Sequence, residues 1–401
     1  MREAFDLVSY DVLWNKLREQ KVPAELLRIF QYWYLNQSNS VRWAGRFSQT
    51  YRLECGVRQG GITSPKLFSL YVNDLIEGLS RTPVGCRVDD VSVNNISYAD
   101  DMVLLTPSVR AMRKLLGICE EYVGKHGLLY NAKKSEYMVF KAVGGKLPES
   151  VPVIKLNNNE LKRVHAFKYL GHYVTDDLKD QLDIERERRA LAVRCNMLVR
   201  RFARCSQQVK ITLFKAYCQV FYTCSLWTSY SQKTISALRV LYNNGFRMLL
   251  GLSRFCSASG MFAQARTDDY YAIIRKRTAS LLCRVRASTN PILATIACRY
   301  DSPIARHFEG VMTATRGYER GRGFSDTERD STAARGAARS RATRHAATAC
   351  ATQQDPVTPA RQAAFKATFA VSKRAITDTQ KAFTDAFEAL SGAKRSLTAV
   401  S

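Results

Sequence analysis

The two short apolar runs that flank Asp100-Asp101 constrain the fold more than any other feature of the chain. Ile96-Ser97-Tyr98-Ala99 precedes the acidic pair and Met102-Val103-Leu104-Leu105 follows it, a pattern that predicts two strands about a tight turn. On a straight strand adjacent side chains point to opposite faces, so neighbouring aspartates serve one site only where a hairpin turns. Converging carboxylates are what a pair of Mg²⁺ ions requires. The bland reading is a solvated turn, and Asp89-Asp90, Asp176-Asp177 and Asp268-Asp269 repeat the dipeptide without that context. Flanking strands that would hold the turn rigidly set Asp100-Asp101 apart.

Around this hairpin, from Val8 to about Phe140, helical periods alternate with strand-like runs, which is the pattern of an α+β domain. Leu13 and Leu17, then Leu26, Leu27 and Phe30, predict an opening helix pair broken at Pro23. Ser64-Pro65 reads as a cap with a first-turn proline, and Phe68, Val72, Leu75 and Leu79 recur after it at helical spacing. Pro107 opens another helix carrying Met112, Leu115, Cys119 and Val123, with Gly127 placed to end it. A strand over Tyr137-Met138-Val139-Phe140 closes the domain, and short strands follow between Val151 and Val174. From about Asp180 to Ala297 the periods are helical, with apolar stripes such as Leu213, Tyr217, Val220 and Phe221. Beyond Arg316 the composition shifts to Ala, Thr and Arg, which predicts a disordered linker over 313–358. Phe365, Phe369, Ile376, Phe383, Phe387 and Leu390 then share one helical stripe, giving an amphipathic helix over 359–392.

Charge narrows the partners. Sixty-one Lys and Arg stand against 35 Asp and Glu, a formal balance of +26, and a polyanion such as nucleic acid is the partner this favours over an evenly basic surface. The charges cluster at Arg186, Arg188, Arg189 and Arg194, at Arg200, Arg201 and Arg204, and at Arg275, Lys276 and Arg277. With 46% hydrophobic residues the chain can fill a real core. No run resembles a signal peptide or a membrane span, so a soluble protein of the nucleus or cytoplasm is expected, with no membrane partner. Eleven cysteines without a C-x-x-C pair predict buried free thiols rather than a zinc site.

A second constellation completes the pattern. Gly56-Val57-Arg58-Gln59-Gly60-Gly61-Ile62-Thr63-Ser64-Pro65 is a Gly-rich loop running into a helix start. Glycines let backbone approach a nucleotide closely, and free N–H groups at a helix start favour phosphate. Alone, such a loop is equally a long surface turn. Followed by Leu67-Phe68-Ser69-Leu70-Tyr71-Val72-Asn73-Asp74-Leu75, it resembles motif B of the reverse transcriptases. Tyr98-Ala99-Asp100-Asp101 resembles their motif C, Gly127-Leu128-Leu129-Tyr130-Asn131-Ala132-Lys133-Lys134-Ser135 their motif D, and Phe167-Lys168-Tyr169-Leu170-Gly171 their primer-grip hairpin. Order and spacing fit as well as the letters, and the version present is most similar to the enzymes of non-LTR, LINE-type retrotransposons.

The resemblance implies RNA-directed DNA polymerisation, with dNTPs added to a primer 3′-OH and two Mg²⁺ ions as cofactors. The expected partners are an RNA template and DNA primer, an RNA–DNA or DNA duplex, and dNTP. Asp100 and Asp101 would hold the metals, and Lys134 would protonate the leaving pyrophosphate. Phe5, Gly56, Arg58, Gln59, Gly60, Gly61, Pro65, Tyr98, Ala99 and Asn131 would surround nucleotide and template; Tyr169, Leu170 and Gly171 would grip the primer; Arg188, Arg189, Arg200 and Arg201 would hold the duplex. The implied architecture is an α+β right-hand palm, partial and without fingers, over 1–142, a primer-grip region over 143–179 and a helical basic thumb over 180–312. Plainer roles stand beside these, a core aromatic for Phe5 and a solvated lysine for Lys134. Ala4-Phe5-Asp6-Leu7-Val8 matches the second half of motif A, whose metal-binding aspartate falls six positions before Asp6, ahead of Met1. Asp6 lies too far along to replace it. A polypeptide starting at Met1 is therefore expected not to polymerise, and the rival reading is a non-catalytic nucleic-acid-binding remnant.

Overall fold

The computed structural model describes residues 1, 4–88, 91–141, 148–298 and 303–313. Asp89-Asp90, most of the predicted linker and the predicted helix over 359–392 lie outside them. Contacts divide the described residues into two compact units, one of Met1–Asp183 with Thr289–Ile296, the other of Ile184–Ser288 with Ala297, Cys298 and Pro303–Thr313. The first mixes helices with many short strands; the second is helical.

The first unit opens with α1 (Tyr10–Glu19) and α2 (Ala24–Leu35), separated at Pro23. Four two-residue strands follow, β1 (Ser38–Asn39), β2 (Arg42–Trp43), β3 (Arg46–Phe47) and β4 (Tyr51–Arg52), which pair β1 with β4 and β2 with β3 into one antiparallel arm. Next come α3 (Ser64–Arg81), β5 (Arg87–Val88), β6 (Val91–Ser92), β7 (Asn95–Tyr98), β8 (Asp101–Leu104) and α4 (Val109–Lys125). Apolar stripes on α1, α3 and α4 meet in a core of Leu13, Leu17, Phe68, Tyr71, Val72 and Val123, each side chain contributing about 1.5–3 kcal/mol by burial. Leu75 and Leu79 of α3 and Leu115 and Cys119 of α4 continue it toward Met102 and Leu104 of β8. The acidic hairpin thus has one flank fixed on packed helices.

Polar groups lock the same helices. Tyr71 Oη donates to the His126 carbonyl at 2.7 Å and Tyr122 Oη to the Tyr71 carbonyl at 2.5 Å. Lys16 is buried and ion-paired with Asp74 beside the Tyr122 ring, where burial pushes the Tyr122 phenol upward. The end of α4 follows the sequence: Gly127 takes a left-handed φ of 65°, and Leu128 N–H reaches back to the Val123 carbonyl at 3.1 Å.

Three details differ from the sequence expectation. The cap position lies one residue before Ser64, at Thr63, which makes no side-chain cap bond, and Ser64 is the helix's first residue, buried with no hydrogen-bond partner for Oγ. Ser108 rather than Pro107 caps α4, accepting from Ala111 N–H at 3.3 Å. The strand expected over 137–140 shrinks to β9 (Glu136–Tyr137), paired parallel with β12 (Lys162–Arg163) because Val164 takes over the Tyr137 carbonyl. Between them lie β10 (Lys155–Leu156) and β11 (Asn159–Glu160); after them come β13 (Ala166–Tyr169) and β14 (His172–Thr175). His172 is buried, its Nδ1 3.1 Å from Asp183 and its Nε2 3.8 Å from Asp180, while Asp183 accepts from Tyr173 N–H at 3.2 Å. That cluster pins the β13–β14 hairpin to the start of the next helix.

The helices after the strands are α5 (Gln181–Arg201), α6 (Gln207–Cys218), α7 (Gln232–Leu250), α8 (Ala258–Gln264), α9 (Tyr270–Arg286), α10 (Pro291–Cys298) and α11 (Pro303–Thr313). Side-chain caps start α6, α7, α8 and α9, from Ser206, Ser231, Ser257 and Asp269. The second unit's core is aromatic: Phe214, Tyr242, Phe246 and Phe262 pack with ring centroids 4.8–5.3 Å apart. Along α5, Arg188 forks onto Glu185 at 2.6 and 2.8 Å, Arg189 reaches the same carboxylate, and Arg186 and Arg194 pair with buried Glu187. The Arg188 hydrogen bond, then Arg189, hold the Glu185 carboxyl down at about 2. Arg200 and Arg201 end the helix exposed.

Candidate active site

The turn between β7 and β8 is two residues long, with Tyr98 paired to Asp101 and Ala99-Asp100 between them. Ala99 takes φ 50°, a left-handed conformation that a residue with a Cβ adopts at some cost. This conformation turns the chain within two residues, so Asp100 and Asp101 stand at the hairpin's tip. Met1 N–H donates to the Asp100 carbonyl at 2.9 Å and lies 3.9 Å from its carboxylate.

A cavity of about 490 Å³ opens against this tip, lined by Asp100, Asp101, Asn131, Lys134, Lys168 and Tyr169 among others. Three segments distant in sequence meet there. Asn131 accepts from Lys134 N–H at 3.2 Å, capping a 3₁₀ turn over Ala132–Lys134 that presents the exposed Lys134 side chain. Tyr169 comes from the β13–β14 hairpin, whose turn residues Leu170 and Gly171 have φ 47° and 83°, the double left-handed turn suited to two-residue hairpins. Its phenol is buried with no hydrogen-bond partner, and burial, then the Asp101 charge, pushes its pKa upward. An unpartnered phenol beside a carboxylate pair is a donor awaiting an acceptor on whatever enters. Lys168 belongs to the lining too, a residue that the primer-grip motif contains but to which the sequence reading gave no role.

Other sequence-predicted residues assemble elsewhere in the same unit. Val57 N–H donates to the Phe5 carbonyl at 2.7 Å and Gly56 N–H to the Val8 carbonyl at 2.8 Å, so the Gly-rich loop is stitched to the segment around Asp6. Gln59 Nε2 reaches the Asp6 carboxylate at 3.3 Å, and Arg58 Nε is anchored on Gln37 at 2.7 Å. Phe5 is half-buried, stacked on Phe68 at 4.8 Å. Gly60 has φ 85° with open space around it, and Pro65 occupies the first turn of α3. None of Phe5, Gly56, Arg58, Gln59, Gly60, Gly61, Pro65, Tyr98 or Ala99 lines the cavity.

Gly56 carries the tightest constraint in the loop. Its φ is 94°, and a Cβ there would meet the Asp6 carbonyl oxygen at 2.9 Å. Gly56→Ala is expected to lower the stability of this unit by about 1–3 kcal/mol through backbone strain. Urea unfolding followed by tyrosine and tryptophan fluorescence checks it; an unchanged midpoint would mean that the stitching is dispensable.

Asp100 and Asp101 offer hard oxygen donors, and Mg²⁺ commonly takes one or two carboxylates and completes its shell with water and phosphate. The pair fits such an ion. Among the described residues no three His, Cys, Asp or Glu side chains are placed to share one metal.

Comparison with known proteins bears on this arrangement. The family described as "Reverse transcriptase (RNA-dependent DNA polymerase)" matches residues 1–174. The chain is 28% identical over 180 residues to a retrovirus-related Pol polyprotein from type-1 retrotransposable element R2 of Popillia japonica, which covers 43% of this chain and 25% of that protein. It is 24% identical over 264 residues to the RNA-directed DNA polymerase from mobile element jockey of Drosophila melanogaster, covering 63% and 28%. A probable RNA-directed DNA polymerase from transposon X-element of the same fly is 21% identical over 308 residues, 74% of this chain and 32% of that one. The chain thus spans about a quarter to a third of the length of these relatives.

Proposed function

Since residues 1–174 are a reverse transcriptase domain similar to those of non-LTR retrotransposon RNA-directed DNA polymerases, we propose that the chain is the palm and thumb of such an enzyme, extending a DNA primer on an RNA template. The single observation that carries this reading is the cavity in which Asp100, Asp101, Asn131, Lys134 and Tyr169 converge from three segments. In the reaction the primer 3′-OH loses its proton to solvent as its oxygen bonds the α-phosphorus of a dNTP, while the bond from that phosphorus to the bridging oxygen breaks and pyrophosphate leaves. Asp100 and Asp101 would hold Mg²⁺, which when bound polarises the phosphates and stabilises the charge that develops on them. Lys134, steadied by Asn131, gives its proton to the leaving pyrophosphate oxygen. The β13–β14 turn at Tyr169-Leu170-Gly171 rests against the primer end. Gln59 and Phe5 act on the incoming nucleotide from the stitched loop, with Gly56, Gly60 and Gly61 allowing close backbone approach. Residues 1–142 and 143–179 are read as palm and primer grip, and 180–312 as the thumb, working in the nucleus or cytoplasm where template and primer are found. Among the described residues no helix is long and apolar enough to cross a membrane.

Metal binding tests the core of this proposal without turnover. Mn²⁺ added to the full chain is expected to give a bound signal in electron paramagnetic resonance that Asp100→Asn/Asp101→Asn removes. Retention of the signal in that variant would place the ion elsewhere and end the reading.

The thumb has its own test. Arg188 and Arg189 are held by Glu185, whereas Arg200 and Arg201 are exposed at the end of α5, so the latter pair are the phosphate contacts. Arg200→Gln/Arg201→Gln is expected to flatten the logarithmic salt dependence of duplex binding by roughly 0.9 per arginine. Arg188→Gln/Arg189→Gln should do less, because the Glu185 carboxylate that both arginines share offsets one of their two charges. A slope unchanged by the first pair would remove this helix end from the grip. The reading of a nucleic-acid-binding remnant shares these contacts and differs only in turnover.

A further inference from the structure

The antiparallel arm from Ser38 to Arg52 serves no role in the site above. Its turn at Ala44-Gly45 has φ 47° and 80°, the double left-handed form that closes a two-residue hairpin. Every residue from Ser40 to Arg52 is exposed, Trp43 by 82% and Phe47 by 68%. Such an arm buries no core of its own, and an isolated two-stranded hairpin is marginal in water. Large aromatic side chains on it are consequently unexplained by folding.

The charges explain them. Between Glu25 and Glu54 the chain has no acidic residue, while Arg42, Arg46 and Arg52 lie on the arm. Among the described residues none of these three makes an ion pair or a side-chain hydrogen bond. Register places an arginine across from two of the aromatics: Trp43 faces Arg46, and Phe47 faces Arg42, whose guanidinium lies 5.6 Å from the Phe47 ring. Tyr51, half exposed, follows on the return strand. Consecutive pairs on a hairpin point to opposite sides, so Trp43 with Arg46 and Phe47 with Arg42 give each side of the arm one exposed ring beside a cation, where an unpaired base can stack while its phosphate meets the arginine.

We propose that this arm binds the single-stranded stretch of the RNA template before it is copied. This rests on the polymerase reading, because of the strands that such a reaction handles only the uncopied template presents unpaired bases. Primer and product are duplex, with their bases already stacked on one another. Sequence alone did not reveal the arm, since strands of two residues with no buried face leave no alternation to read. The signal it did leave was a run of nearly thirty residues without an acid.

The test uses the full chain, without Mg²⁺, titrated with an unstructured oligoribonucleotide, the same sequence as DNA, and an RNA–DNA hybrid. Trp14 and Trp227 are buried, so quenching on binding reports on Trp43 and Trp33. Trp43→Ala and Phe47→Ala are each expected to weaken single-stranded RNA binding about tenfold and to leave hybrid binding unchanged. Trp43→Ala should also abolish most of the quench. Arg42→Gln/Arg46→Gln, which keeps the rings, should lower the salt slope for the oligoribonucleotide by roughly 0.7 per arginine. Three results would overturn the proposal: equal losses for hybrid and single strand, a more than tenfold preference for single-stranded DNA, or concentration-dependent self-association that Trp43→Ala abolishes. Asp100→Ala/Asp101→Ala should bind the oligoribonucleotide as the unaltered chain does. If that holds while no form of the chain polymerises, the catalytic reading fails and the arm stands.

Discussion

On a poly(A) template with oligo(dT) primer, Mg²⁺ and dTTP, the polypeptide of residues 1–401 is expected to extend no faster than its Asp100→Ala/Asp101→Ala variant. A longer polypeptide supplying an aspartate six positions before Asp6 is expected to exceed both by roughly 10³-fold or more, the equivalent of several kcal/mol of transition-state stabilisation. The reason is geometric. Two carboxylates at the tip of one hairpin can hold an ion with water completing its shell, but a two-metal site clamps the attacking and leaving oxygens together and needs carboxylates from a second segment. Among the described residues no third ligand stands with the pair. Asp6 is occupied otherwise, accepting from Gln59. Extension by residues 1–401 clearly above the double variant would show that two carboxylates suffice and that the added aspartate has no such role.

How much of this could be read from the letters depends on how local each feature is. The hairpin at Asp100 was legible because an apolar run, a turn and a second run are decided within ten residues, and the pairing of Tyr98 with Asp101 follows from that spacing. The C-terminal end of α4 was legible for the same reason, through Gly127, whereas its start was expected at Pro107, one residue before the Ser108 that caps it. Ser64 misled because Thr63 already occupies the cap, leaving the Ser64 hydroxyl buried under Gly61, where an added Cβ would meet it at 2.6 Å. The convergence of Lys134 and Tyr169 on the acidic tip was beyond local reading. It depends on the 3₁₀ turn capped by Asn131 and on the pinning of β14 by His172 and Asp183. Charge counting did not show which arginines of α5 are paired within the helix: helical spacing puts Arg188 and Arg189 three and four residues after Glu185, whose carboxylate they share at the surface.

The second large effect concerns the helical unit, and it falls on a glycine that sequence patterns would class as a mild defect in α7. Gly245 is buried in the middle of that helix, where alanine would normally gain about 1 kcal/mol of helix propensity. Here a Cβ would collide with the Cys195 sulfur of α5 and come within 3.9 Å of the Phe214 ring. Both neighbours belong to the aromatic core, where Cys195 is 2% and Phe214 0% exposed, so neither has space to retreat. Gly245→Val is therefore expected to destabilise this unit by about 3 kcal/mol or more, a large share of the roughly 5–15 kcal/mol that typically holds a domain folded. Gly245→Ala should be milder, with its propensity gain partly offsetting the overlap. Replacing the sulfur in Cys195→Ala/Gly245→Ala should recover most of the loss, a coupling of about 1–3 kcal/mol. Thermal unfolding followed by circular dichroism separates the outcomes, because losses that merely add in the double variant would mean that α5 and α7 do not meet at this pair. Recovery would identify the contact that lets the helices close around Phe214 and Tyr242. The exposed end of α5, with Arg200 and Arg201, would then owe its fixed position to a residue without a side chain.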